Sequence, residues 1–261
     1  MTTQDFITEL FCKVDDQMSD LPRHPQANLS PSEVTTIGLL HAIKGVGNRA
    51  FYRWLADNHL ALFPQLPHRT RLFRLLPRHQ DWCHSFLAQP TLLGVIDTYG
   101  IELLHPMPEG RSEHQMGKKG KSNHRWIVGG KLCLLLNHLG MVTAWDCATA
   151  NVHDTHFQHL LQRFEDEMVV WADTAFHAKV GDPANLKLCQ RGEWNEGMTI
   201  ETVLSMLTRV WHFKKVMHRV WDYFHARVAF TMAAFNLLVQ WDGLKPDEKG
   251  YVHLSIAEFS L

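Results

Sequence analysis

The chain has 261 residues, with 26 Lys and Arg against 27 Asp and Glu, a formal net charge of −1, and 45% hydrophobic and 20% charged residues. This is the composition of a globular protein long enough for one large domain or two small ones, and the absence of an apolar window of about 18 residues excludes a membrane span. The five cysteines (Cys12, Cys83, Cys133, Cys147 and Cys189) are odd in number, scattered and without a CxxC pair, which excludes a disulfide framework and fits a reducing cytosol.

Residues 1–88 read as helical. Phe6, Ile7, Leu10, Phe11 and Val14 form one helical stripe over residues 5–18, and the acids among them argue against a signal peptide. Ser30-Pro31-Ser32-Glu33 combines an N-cap, a first-turn proline and a capping-box acid. The helix it opens runs through Val34, Ile37, Leu40 and Ile43 and ends near Gly45 to Gly47. A further helix begins at Asn48, and a short one covers residues 81–87. The region is either a bundle that packs on a main domain or a module for DNA-end recognition or dimerisation. Its residues do not decide between them.

In residues 89–242 the period changes. Residues 91–97, TLLGVID, are an apolar run that stops on a carboxylate, the pattern of a strand buried on both faces that delivers Asp97 to the sheet edge where ligands gather. Residues 109–122, rich in Gly, Lys and Ser, read as a mobile surface loop carrying Lys118, Lys119 and Lys121. Two apolar runs, 131–137 and 141–148, predict a β-hairpin. Residues 151–155 supply the cap of a helix over 155–165, and MVVWAD (168–173) repeats the apolar run ending in Asp. An edge strand at 185–189, helices at 199–215 and 216–241, and a peripheral tail from 243 to 261 complete the chain. The order predicts an α/β fold: a mixed sheet flanked by helices behind an N-terminal helical region.

Asp97 and Asp173 close two strands, and Glu201 opens a helix. If they converge they form a hard-cation site, suited to Mg²⁺ with Mn²⁺ as its substitute. Phosphodiester cleavage needs charge stabilised on both attacking and leaving oxygens, which two such ions supply together. Singly, each acid has a plainer reading, as a strand-end cap or as a first-turn acid on the helix dipole. Glu196 is a rival for the third acid but falls before the helix proper. Basic residues cluster at Arg69, Arg71, Arg74 and Arg78, at Lys118, Lys119, Lys121, Arg125 and Lys131, and at Arg209, Lys214, Lys215 and Arg219. Local clusters matter more for phosphate binding than a near-zero net charge. His153, His156 and His159 recur every three residues without a fourth zinc ligand, and His153-Asp154 reads better as support for the carboxylate site.

Together the pieces Val95-Ile96-Asp97-Thr98, Asn151-Val152-His153-Asp154, Trp171-Ala172-Asp173-Thr174 and residues 194–202 (WNEGMTIET) resemble a bacterial insertion-sequence transposase of the DDE type, over about residues 90 to 240. The resemblance implies a ribonuclease H-like fold in which Asp97, Asp173 and Glu201 hold two divalent metals, with Asp97 between them. It implies terminal inverted repeats and target DNA as partners, cleavage by water, strand transfer by the freed 3′-hydroxyl, a dimer on DNA, and a cytoplasmic, nucleoid-associated location. Many relatives carry Tyr, Arg and Lys around the catalytic Glu where this chain has Trp194, Gly197 and Thr208. Trp194 keeps an aromatic platform for a base or sugar, the missing Arg removes a bidentate phosphate clamp, and Arg209 lies one place beyond Thr208. These departures define the alternative, a catalytically impaired DNA-binding relative acting as an inhibitor or decayed remnant. A general ribonuclease H-like nuclease is a third reading.

Overall fold

Two capping boxes open the first helices. In the computed structural model, which describes residues 1–106, 115–122, 125–189, 197–244, 254–256 and 259, Thr2 and Asp5 exchange bonds at the start of α1 (Thr3–Met18). Ser30 and Glu33 do the same at the start of α2 (Pro31–Lys44), as the sequence predicts. α3 (Asn48–Asn58) and α4 (Arg69–Arg78) follow, and the short helix expected near residue 81 is a 3-10 turn, Gln80–Phe86.

Residues 1–86, 222–234 and 259–261 form the first of two units. Its interior includes Leu10, Ile37, Leu40, Phe51 and Leu55, all fully buried. Gly38 is there because a Cβ at that position would sit 2.3 Å from the Phe230 ring. Buried Arg227 donates to the carbonyls of His41 and, at 2.8 Å, of Ala42. Those carbonyls lie in the last turn of α2, where helices leave acceptors unpaired.

Residues 87–221 and 235–258 form the second unit, a mixed sheet with helices. Its strands are β1 (Leu93–Leu103), β2 (Lys118–Ser122), β3 (Arg125–Asn137), β4 (Val142–Thr149), β5 (Val169–Ala172), β6 (Leu186–Leu188) and β7 (Lys215–Val216). β3 runs antiparallel to both β1 and β4, while β5 runs parallel to β1 and β6 parallel to β5. β1 thus lies between an antiparallel hairpin on one side and two parallel strands on the other. The α/β fold class read from the sequence therefore holds. On one face Ile96, Cys133, Leu135, Phe157, Leu160 and Leu161 pack into a buried core. α6 (Gly197–Val210) packs on β1 and buries Ile200, Val203, Leu204 and Leu207, a helical stripe. The last helix, α7 (Trp221–Asp242), gives residues 222–234 to the first unit and Trp221 and residues 235–242 to the second. There the Asn236 side chain bonds both ways to the Val142 backbone, at 2.8 and 2.7 Å. Among the described residues no helix is long and apolar enough to cross a membrane.

Four expectations need correction. β1 does not stop at Asp97 but continues to Leu103, because β3 is long enough to pair it as far as Glu102. The predicted loop over 109–122 lies partly outside the described residues, and its Lys118–Ser122 part is a strand paired with β3. Gly120 permits that approach, since a Cβ would fall 1.9 Å from the Ala150 carbonyl oxygen. The helix expected over 155–165 is a 3-10 turn, Asp154–Phe157, capped by His153 and followed by α5 (Gln158–Gln162). α6 ends at Val210, and His212 at φ 54 breaks it, so Lys214 and Lys215 leave the helix and β7 pairs with β1.

Candidate active site

The parallel register of β1 and β5 positions the two aspartates. Val95 lies opposite Trp171 at the end of the β1–β5 ladder, so Asp97 and Asp173 each follow two residues beyond that last pair on neighbouring segments. β5 ends at Ala172, which frees Asp173 to turn outward as the N-cap of the 3-10 turn Thr174–Phe176. Its carboxylate accepts from the Ala175 amide at 2.9 Å. The plainer reading of Asp173 as a cap is thus realised, and the same placement leaves it beside Asp97.

Asp97 is the most perturbed acid of the site. Burial raises its pKa to about 7; the Thr98 amide, donating at 2.6 Å, opposes the shift, and the nearby charges of Asp173, Asp154 and Glu201 add to it. Asp173 is raised as well, by burial first and then by the charge of Asp154, while hydrogen bonds from the Ala175 and Phe176 amides, and the nearby charge of His153, pull it down. Glu201 is exposed on the first turns of α6, next to buried Ile200. All three acids therefore share one electrostatic neighbourhood. Among the described residues, however, no group of three or more His, Cys, Asp or Glu is close enough to hold a metal ion.

Asp154 does more than the sequence assigned to it. Its Oδ1 accepts from the Lys131 ammonium at 2.7 Å and from the Thr98 hydroxyl at 2.9 Å. Lys131 also donates to the Val152 carbonyl at 2.8 Å, and this ion pair is largely buried, with side chains 13% and 18% exposed. An ion-paired acid is thereby tied to the residue that follows Asp97. The sequence showed Lys131 only as one charge of a basic run; its alternation within an apolar strand was the available signal. His153 caps the turn through a 3.4 Å bond from the Thr155 amide. Of the other histidines in the series, His159 faces Asp146 at 3.1 Å.

The basic residues divide. Register aligns Lys118, Gly129, Glu102 and Lys215 in one row across β2, β3, β1 and β7, so two clusters distant in sequence meet. Glu102, which the sequence reading overlooked, pairs with both Arg125 (3.1 Å) and Lys215 (3.4 Å) and offsets their charge. The row crosses β1 five residues beyond Asp97, about 17 Å along the strand, so these lysines do not flank Asp97 itself. Arg209 is exposed in the last turn of α6, and Lys214 and Arg219 are exposed beyond it. Thr208 donates to the Ser205 carbonyl at 3.1 Å within its own helix. Trp194 and Glu196 lie outside the described residues.

The sequence matches no protein-family model and no curated protein. Two solved structures align over most of the chain. A pre-cleavage Mos1 transpososome is 12% identical over 87% of this chain and 83% of its own, with a TM-score of 0.24. A Mos1 transposase paired-end complex with the left transposon end is 14% identical over 86% and 82%, also with a TM-score of 0.24. Similarity at this level carries no argument about activity, which rests on the carboxylates.

Proposed function

We propose that the chain is a metal-dependent DNA transposase that cleaves insertion-sequence ends and transfers the strand, acting as a dimer on DNA in the cytoplasm. The observation that carries this reading is that Asp97 and Asp173 each follow two residues after the last pair of the β1–β5 ladder, with the charges of Asp173 and Glu201 both adding to the raised pKa of Asp97. Clustered, partly desolvated carboxylates are unstable alone and favour a hard cation, and their oxygens are the donor set that Mg²⁺ or Mn²⁺ takes. When bound, two such ions stabilise the attacking and leaving oxygens of an in-line displacement. Asp97, Asp173 and Glu201 would hold them. Lys131 and Asp154 fix the backbone beside Asp97 through Thr98. Lys118, Lys119, Lys121, Arg125, Arg209, Lys214, Lys215 and Arg219 hold the DNA backbone further out.

A second reading is a catalytically impaired relative that binds DNA ends without cutting. Two observations favour it: the three acids are not gathered to ligand distance, and the Thr208 hydroxyl is spent on its own helix. Incubation with labelled terminal-repeat DNA and Mg²⁺ decides. Cleavage and strand transfer lost in Asp97→Asn support the first reading; binding without cutting supports the second; sequence-indifferent degradation rejects both in favour of a general nuclease.

A further inference from the structure

The face of the sheet that carries Asp97 ends in an exposed indole. Side chains alternate along a strand, and partners across a ladder share a face. Asp97 lies opposite Leu134, so Leu132, Gly130, Val128 and Trp126 continue its face along β3. β2 adds Lys119 and Lys121, opposite Val128 and Trp126. Trp126 is 66% exposed, which is unusual for the largest apolar side chain when it stands on a sheet. The Lys119 ammonium lies 5.1 Å from its ring centroid. Beside the ring is a cleft of about 250 Å³ walled by Leu103, Leu104, Pro106 and Val128, with Glu102 at its margin.

We propose that this cleft takes an unpaired nucleotide of the DNA, its base stacked on Trp126 and its phosphates held by Lys119 and Lys121. The inference rests on the DNA-acting reading above and narrows its substrate class to DNA with a single-stranded segment. Base faces are covered by their neighbours inside a duplex, whereas a splayed base can lie flat on an aromatic ring. The charges select the same occupant. No acid among the described residues pairs with Lys118, Lys119 or Lys121, and Glu102 is already shared by Arg125 and Lys215. An apolar protein partner would have to strip water from these lysines, whereas a phosphate backbone replaces it with ion pairs. Trp126 stands eight residues beyond the partner of Asp97, about 27 Å along β3. At about 3.4 Å per nucleotide, the unpaired stretch lies roughly eight nucleotides from the reacting phosphate.

The test measures fluorescence anisotropy of labelled oligothymidine and of a labelled duplex of equal length, in EDTA at one salt concentration. Trp126→Ala lowers single-strand affinity by roughly 5- to 150-fold, the range expected for one stacked base, and changes duplex affinity less than about twofold. Trp126→Tyr restores most of the single-strand affinity. Lys119→Gln lowers affinity for both forms and flattens the salt dependence of binding. Equal losses for both DNA forms in Trp126→Ala, or no loss while the parent chain binds both, overturn the stacking site and leave the DNA-acting reading standing. Unchanged DNA binding with altered sedimentation of Trp126→Ala also overturns it, and assigns the indole to a second copy of the chain. If the parent chain binds neither DNA, both proposals fall together.

Discussion

Replacing Asp97 by Asn should stabilise the metal-free protein. The pKa of Asp97 is raised from 3.8 to about 7, chiefly by burial. At about 1.4 kcal/mol per unit, its ionised form above neutral pH costs up to about 4 kcal/mol. The carboxylate is only half-buried, and solvent screening reduces this to about 2 kcal/mol. Asn retains an oxygen for the Thr98 amide, which donates to Asp97 at 2.6 Å, and removes the charge. The sign follows from proton linkage. Between the unfolded value near 3.8 and the folded value near 7 the folded state holds more protons, so wild-type stability falls as pH rises through that window. Urea denaturation in EDTA should therefore find Asp97→Asn about 2 kcal/mol more stable than wild type at about pH 8, with the difference gone near pH 4. Added Mg²⁺ should stabilise the wild type and not the variant. A variant no more stable than wild type at the alkaline end would refute the electrostatic account of the site.

Three further outcomes follow from single contacts. Lys131→Met leaves Asp154 unpaired beside two other acids and should cost about 2 to 3 kcal/mol, whereas Lys131→Met with Asp154→Leu should recover at least half; a thermal-denaturation double-mutant cycle measures this. Arg227→Ala should cost about 3 kcal/mol, because it opens a cavity and strips donors from the His41 and Ala42 carbonyls at the end of α2; the loss is read from the urea midpoint. Gly38→Ala gains about 1 kcal/mol in helix propensity but drives a Cβ to 2.3 Å from the Phe230 ring, so a net loss of about 1 to 2 kcal/mol is expected. Combining Gly38→Ala with Phe230→Leu should reverse that sign, and calorimetry reads both.

The helix caps and the aspartate-ending runs were legible because their signals are local. Ser30 to Glu33 states its own hydrogen bonds, and TLLGVID and MVVWAD mark two strands by their apolar runs, but not the burial on both faces that the runs suggest: Leu92 and Leu93 are exposed, and β5 is fully buried only at alternate residues. Their common neighbourhood follows from the pairing of Val95 with Trp171, a register that neither run states by itself. Glu102 was not legible, because its role follows from a ladder that brings Lys215 and Arg125 to it from distant parts of the chain. β2 was hidden for a different reason. An edge strand needs apolar residues on neither face when its long neighbour supplies the hydrogen bonds, so Lys118–Ser122 looks like a loop in composition alone. Trp126 was passed over in a basic run, and only the alternation of β3 shows that it shares a face with Asp97.

Soaking crystals of the protein with Mn²⁺ and collecting anomalous diffraction tests the central claim most directly. The account predicts anomalous density between the carboxyl groups of Asp97, Asp173 and Glu201, with those side chains drawn closer than in the metal-free state, and its loss in Asp97→Asn. Density elsewhere on the surface, or none at saturating Mn²⁺ with the acids still apart, would contradict it.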